Sequence, residues 1–249
     1  MLSAIALWVI LVSAPFVFII LLFYTAPYGR HFREGWGPSV SARIGWIVME
    51  SPALLVIGIT VIVSGRPVSP ISYLLLGLWE VHYLYRTCIF PFLMKGRDKR
   101  FPAVLILFAF VFNSLNGYAN GIFLSTTTSF DGLGFLGTAR LFAGMALFVS
   151  GLFTHILADH GLRSLRTPGE IGYKVPRGGL FEYVSSPNYL GEISEWCGWA
   201  LATWSLAGLC FALFTIANLV PRAFANRQWY IATFADYPRE RKSVIPFVF

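Results

Sequence analysis

The sequence predicts an all-α integral membrane protein, a bundle of seven transmembrane helices with the N-terminus outside and the C-terminus in the cytoplasm. Three features carry that prediction: a charge-poor composition, apolar runs of membrane-crossing length, and basic residues confined to alternate connections. Of 249 residues, 56% are hydrophobic and only 12% are charged, about half the charged share of a soluble domain. Such a chain cannot furnish a charged shell around one core, so lipid must cover much of its exterior. The same hydrophobicity excludes disorder.

A crossing helix needs roughly 20 mostly apolar residues. Residues 2–24, 44–64, 71–93, 102–124 and 135–158 meet that test. From 178 to 220 runs a weaker apolar stretch, interrupted by Glu182, Asn188, Glu192 and Glu195, which reads as one long helix or two short ones. Charge placement decides between them. Lys and Arg concentrate in the first connection (Arg30, Arg33, Arg43), the third (Lys95, Arg97, Lys99, Arg100), the fifth (Arg163, Arg166, Lys174, Arg177) and the tail (Arg222, Arg227, Arg239, Arg241, Lys242). The second and fourth hold only Arg66 and Arg140. Basic loops stay in the cytoplasm, so the fifth connection and the tail share a side, and two short helices must lie between them.

The first segment lacks the basic start and small-residue cleavage site of a signal peptide and is expected to remain as a helix. No repeat period divides the chain, so residues 1–249 are expected to form a single membrane domain. Three cysteines, Cys88, Cys197 and Cys210, lie in apolar stretches and provide neither a disulfide framework nor a metal spacing. The net charge of +7 follows from topology rather than from a nucleic-acid partner. Two basic regions exceed what orientation requires, however: 163–177 and the last thirty residues, where Arg is mixed with Tyr, Asn, Gly and Pro. That mixture suits an anionic ligand with an aromatic part, such as a nucleotide cofactor.

Ionisable groups inside crossing helices are costly and face the bundle interior. Glu50 lies about 10 Å beyond the cytoplasmic start of its helix, and Tyr83 and Arg86, with His82 close by, lie about 14 to 18 Å from the same surface. Two readings stay open: a Glu50–Arg86 ion pair that ties two helices together, or a polar site under apolar walls. In the second, a desolvated carboxylic acid beside a tyrosine hydroxyl makes a two-donor clamp for a carbonyl oxygen that gathers negative charge.

Other motifs carry less. Gly132, Gly134 and Gly137 form a G-x-G-x-x-G that follows no strand and falls in an outside connection. His155 and Asp159 have i, i+4 metal-ligand spacing with His160 adjacent, but no third ligand converges, so no metal is expected. Patterns for a nucleophilic serine are absent. Asn188, Glu192, Glu195 and Trp196 form one helical stripe near the cytoplasmic face, either a solvated helix start or part of a site.

Several ordered blocks resemble one family. They are the glutamate and proline of Glu50 and Pro52, HYLYRT from His82, KGR from Lys95, NGYANG from Asn116, the run LRTPGEIGYKVPRGGLFEYVSSPNYLGEISEWCGWALATW from Leu165, and RAFANRQWY with DYPRERKSVIPFVF at the end. Across nearly the whole chain they are similar to the membrane steroid 5α-reductases (3-oxo-5-alpha-steroid 4-dehydrogenases), and specifically to a bacterial member. The resemblance implies seven helices, NADPH as hydride donor and a 3-oxo-Δ4 steroid or related lipid enone as acceptor. It implies that Glu50 and Tyr83 hold the C3 carbonyl, with Trp46 lining the steroid slot.

For the cofactor it implies Tyr28, Arg30, Arg97, His155, Asp159, Arg166, Tyr173, Asn188, Glu192, Trp196, Arg222, Asn226 and Tyr230, concentrated in 155–249. A monomer in a bacterial inner membrane, with the cofactor site facing the cytoplasm and lipids around it, completes the expectation. The chain departs from the family pattern at Met49, where Gln often precedes the glutamate, and at Met94, His155 and Asn226, where mammalian relatives carry Asn, Asn and His. Two alternatives stand beside this reading: a membrane methyltransferase of the isoprenylcysteine type, and a non-enzymatic lipid transporter.

Overall fold

The computed structural model describes residues 2–95, 99–166, 170 and 172–249. Long helices account for most of them: α1 (Leu2–Phe23), α2 (Ala42–Val63), α3 (Pro70–Leu84), α4 (Phe90–Leu93), α5 (Ala103–Thr126), α6 (Phe135–Ser164), α7 (Pro187–Thr203) and α8 (Leu206–Thr233). Helices α1, α2, α5, α6 and α8 are each long and apolar enough to cross a membrane. Their outward faces carry Trp8, Phe16, Ile62, Phe108, Phe153 and Leu157, all exposed. Only lipid makes such a surface stable.

The third expected span is a composite. A π-helical turn at Tyr85–Ile89 separates α3 from α4, and the extra residue per turn rotates the side chains after Leu84 relative to those before it. The two short helices expected within 178–220 are unequal. Helix α7 ends at Thr203, where Trp204 adopts a left-handed φ of 50°, and Ser205 caps α8 by accepting a hydrogen bond from the Gly208 amide at 2.9 Å. Helix α8 then runs 28 residues, well past Val220. Arg222 and Arg227, expected in a tail, are therefore helical.

Glycine sets the closest helix pair. On α6 and α7, Cβ atoms placed on Gly151 and Gly191 would lie 2.5 Å from the backbone nitrogens of Glu195 and His155 respectively. Gly144 and Gly198 meet the partner backbone at Ala202 and Phe148 in the same way. With glycines seven residues apart on each helix the two backbones touch, and His155 and Asp159 are brought against Glu192 and Asn188. Around this seam lies an aromatic core of Trp79, Tyr83, Phe148, Trp196, Trp199 and Phe211.

Short elements join the loops at one end of the bundle. Strand β1 (Ser39–Ser41) pairs antiparallel with β2 (Arg100–Pro102), with Val40 opposite Phe101, and so links the entries of α2 and α5. The last residues fold back onto the segment before α7. Val184 bridges to Lys242, and the Ser185 amide donates to the Lys242 carbonyl at 2.8 Å. Arg241, read from sequence as part of a basic tail, is buried and donates to the Pro176 carbonyl at 2.8 Å and to Glu182 Oε2 at 3.0 Å.

Candidate functional site

Five helical segments converge on a buried charged cluster. Arg86, on the π-turn, is its centre: Nη2 lies 3.6 Å from Glu50 Oε1 on α2, and Nη1 lies 3.8 Å from Asp159 Oδ2 on α6. His155 sits 3.3 Å from Asp159 Oδ2 and 3.5 Å from Glu192 Oε2, so it joins α6 to α7. Asn188 Nδ2 donates to Asp159 Oδ1 at 3.2 Å. One turn deeper, His82 and Glu195 share a hydrogen bond of 2.7 Å. The i, i+4, i+7 stripe on α7 is thus turned toward its neighbours, with each of its three polar members engaging α3 or α6.

Tyr83 packs among Trp79, His82 and Trp196. Tyr83 is 3% exposed, and among the described residues its hydroxyl has no hydrogen-bond partner. Trp46 lies under the Arg86 guanidinium, 4.3 Å from ring centre to the guanidinium carbon, and edges against Phe90 and Phe101. It covers the Glu50–Arg86 pair on its apolar side. The Glu50–Arg86 contact weighed from sequence is therefore present, and Tyr83 leaves the same helical rod as Arg86 three residues earlier.

Next to this cluster are two cavities, of about 120 and 180 Å³, sharing Arg30 and Leu162 in their walls. The smaller is lined by Tyr28, Asn188, Arg222 and Asn226, the larger by Asp159, Arg166, Tyr173 and Tyr230. The first, third and fifth connections and the end of α8 all contribute. Arg30 lies over the rings of Tyr230, Trp229 and Tyr173 at 4.5, 4.9 and 5.2 Å. Its Nη1 is buried with no hydrogen-bond partner among the described residues. Arg222 sits over Tyr28 at 4.7 Å and donates to the Tyr189 hydroxyl at 2.9 Å. Guanidinium groups held on aromatic rings, one with a buried nitrogen unpartnered among the described residues, have the chemistry to meet an anion bearing a flat ring.

His31 closes the smaller cavity. Its Nε2 donates to Asn226 Oδ1 at 3.1 Å, and Asn226 Nδ2 donates to Ser186 Oγ at 3.3 Å. Burial, with Arg30 and Arg33 nearby, holds the imidazole below its usual pKa despite the Asn226 hydrogen bond.

Of the residues singled out from sequence, Glu50, Tyr83, Trp46, His155, Asp159, Asn188 and Glu192 meet in or against the buried cluster. Tyr28, Arg30, Arg166, Tyr173, Arg222, Asn226 and Tyr230 line the cavities. Trp196 is buried in the aromatic core behind Tyr83 and lines neither cavity. Arg97 lies outside the described residues. Sequence reasoning missed His31, Tyr189 and Asn113, whose Nδ2 donates to the Met49 carbonyl at 2.6 Å and to Glu50 Oε2 at 3.3 Å. The signal for Asn113 was an amide in the middle of an apolar span.

The fold and site define an integral membrane protein that brings an acid and a phenol at membrane depth beside an anion receptor at one end of the bundle. The profile of a family described as 3-oxo-5-alpha-steroid 4-dehydrogenase matches residues 99–249. Steroid 5-alpha-reductase DET2 of Solanum lycopersicum is 43% identical over 244 residues, 96% of this chain and 94% of the relative. The 3-oxo-5-alpha-steroid 4-dehydrogenase 1 of Bos taurus is 41% identical over 235 residues, 93% of this chain and 91% of the relative. That of Homo sapiens is 42% identical over 224 residues, covering 89% and 86%. The chain belongs to the steroid 5α-reductase (3-oxo-5-alpha-steroid 4-dehydrogenase) family.

Proposed function

We propose that this protein reduces the C4–C5 double bond of 3-oxo-Δ4 steroids, using NADPH. The observation that carries the reading is the juxtaposition of Glu50 and Tyr83 with a receptor for a phosphorylated, aromatic ligand, and the names of the relatives supply the reaction. The chain's residues fit the cofactor: the unpartnered Nη1 of Arg30 is a buried donor waiting for an anion. Arg30, Arg166 and Arg222 would hold phosphates, with Arg97 assigned by resemblance, and Tyr28, Tyr173 and Tyr230 would flank the flat rings. Asn188, Glu192 and Asp159, backed by His155 and Asn226, would hold the nicotinamide end near the acid and the phenol. When bound, the cofactor supplies the hydride that C5 accepts.

The protein's own groups act on the other end of the enone. Tyr83, whose hydroxyl has no partner among the described residues, donates to the C3 carbonyl oxygen, and protonated Glu50 is the second donor. Drawing charge onto that oxygen depletes electron density at C5 and stabilises the enolate that follows hydride arrival. Trp46 and the surrounding apolar side chains keep water away and strengthen both hydrogen bonds.

Seven crossings follow if the α3–π–α4 rod and the 17-residue α7 each span the bilayer beside the five longer helices. The meeting of the basic connections around the cavities supports a cytoplasmic cofactor side, with the Trp204–Ser205 turn opposite. The chain then acts as one membrane domain, its cofactor part concentrated in 155–249 and completed by Tyr28 and Arg30, and a monomer suffices because one chain lines both cavities. The relatives come from plants and mammals, and the bacterial inner membrane rests on the sequence resemblance alone.

Thermal unfolding of the purified protein in detergent tests the cofactor class. NADPH at a hundredfold its dissociation constant should stabilise by about 2.7 kcal/mol, and S-adenosylmethionine by nothing. Stabilisation by S-adenosylmethionine alone would transfer the site to methyl transfer.

A further inference from the structure

We infer that Asn113 is a positioning residue for Glu50, an amide delivered from α5 that sets the direction of the acid on α2. The inference rests on the reading of Glu50 as a group that meets the substrate carbonyl. Asn113 is 7% exposed and sits in the middle of an apolar helix, where an amide is retained only if its hydrogen bonds are made.

The orientation of this amide is determined by its partner. A backbone carbonyl only accepts, so the contact of 2.6 Å with the Met49 carbonyl fixes the NH2 end of Asn113 toward α2. The second N–H of the same nitrogen is left for Glu50 Oε2, at 3.3 Å. The other carboxyl oxygen, Oε1, faces Arg86 at 3.6 Å. Glu50 is therefore held from two helices, one oxygen by each, and a carboxyl with both oxygens engaged loses the rotational freedom that would let it swing from the substrate.

The register that brings Asn113 to this place is built into α5. Gly117, one turn further, lies under Val56 and the Ile57 backbone, with 3.3 and 3.4 Å left for a Cβ. Gly121 lies against Thr60 and the Ile57 carbonyl, with 2.8 and 3.0 Å. Two glycines at i+4 and i+8 from Asn113 seat α5 on α2 without a spacer, so the amide reaches the Glu50 turn. Met49, beside the acid in sequence, has no amide to offer.

The test is a pair of substitutions read as a thermodynamic cycle. Losing a hydrogen bond to a charged or strongly polar group corresponds to about ten- to a hundredfold, and this is the expected fall in single-turnover steroid reduction for Asn113→Leu, with NADPH affinity within about twofold of the parent. In a Glu50→Leu background the same substitution should change the residual rate by less than about twofold, since the carboxyl it positions is gone. Asn113→Ser, smaller and still polar, serves if the leucine variant does not fold, and the same loss is expected because its hydroxyl is too short to reach. Equal multiplicative losses in both backgrounds, a matching loss of NADPH affinity, or a parental rate in Asn113→Leu would each overturn the inference. Full turnover in Glu50→Leu alone would instead refute the role given to Glu50.

Discussion

His82 and Glu195 share a 2.7 Å hydrogen bond at positions 2% and 0% exposed, and it ties α3 to α7 directly behind Tyr83. The His82 ring meets Tyr83 and Trp196 edge-on at centroid separations of 4.8 and 4.7 Å. The phenol is thus backed by a polar contact that spans two helices and by an indole, and its hydroxyl is the one part of the ring left to meet a ligand. Removing one partner of such a buried pair leaves the other unpaired, which is more costly than the pair itself is stabilising.

Tyr83→Phe and Glu50→Leu each remove one donor of the clamp without altering the cavities around Arg30. Steroid turnover is expected to fall by about a hundredfold or more in each, as for loss of one oxyanion donor, while NADPH-dependent thermal stabilisation stays near the parental value. Paired turnover and unfolding assays check this, and parental turnover in both variants would remove the clamp.

Arg30→Ala and Arg166→Ala act at the other end. Arg30 lies in the walls of both cavities and has an unpartnered nitrogen, so its loss should raise the NADPH dissociation constant by about ten- to a hundredfold. Arg166, over Tyr173 at 5.5 Å, should have a smaller effect in the same direction. Equilibrium titration of NADPH decides, and unchanged affinity for either variant takes that arginine out of the site.

Gly191→Ala tests the seam between α6 and α7. A methyl group at 2.5 Å from the His155 nitrogen has only backbone to push against, so the helices must part, at a cost of about 1–3 kcal/mol or more. A lower unfolding temperature and weaker NADPH binding are expected together, because Asn188 and Glu192 separate from Asp159 and His155. A variant with both values unchanged would mean that the seam does not hold the site.

His31 makes the cofactor end sensitive to acid. Its folded pKa is lowered, chiefly by burial, so the fold favours neutral imidazole and the unfolded chain binds the proton more readily. The corresponding stability is complete above the unfolded value of about 6.5 and is lost as pH falls through it toward the lower folded value. Between pH 7.5 and 5.5 the parent should lose more thermal stability than His31→Gln, which cannot take up that proton. Parallel losses in the two proteins would contradict the assignment.

Composition and charge placement made the helical rods and the side shared by the basic loops legible, and the structure gathers those loops around the cavities. Glu50 and Arg86 could be paired from depth alone, since rise per residue is constant along a helix. Three things could not be read. The π-turn at Tyr85 leaves no local propensity signal, yet it turns Arg86 toward both Glu50 and Asp159. The α6–α7 seam depends on glycines whose closest partners lie 36 to 58 residues away in sequence. Arg241 looked like topology because its charge counts the same whether it is exposed or buried under Pro176 and Glu182. Most of the cavity residues were reached through family blocks rather than spacing, because Tyr28, Tyr173 and Tyr230 come together only through tertiary packing.

The most direct test of the central claim is a reaction: purified protein in detergent with NADPH and testosterone or progesterone, followed by analysis of the steroid product. Oxidation of NADPH matched by a saturated 3-ketone of 5α configuration is the predicted result. No NADPH oxidation with either steroid, or a product with its C4–C5 bond intact or a 5β hydrogen, would contradict the account.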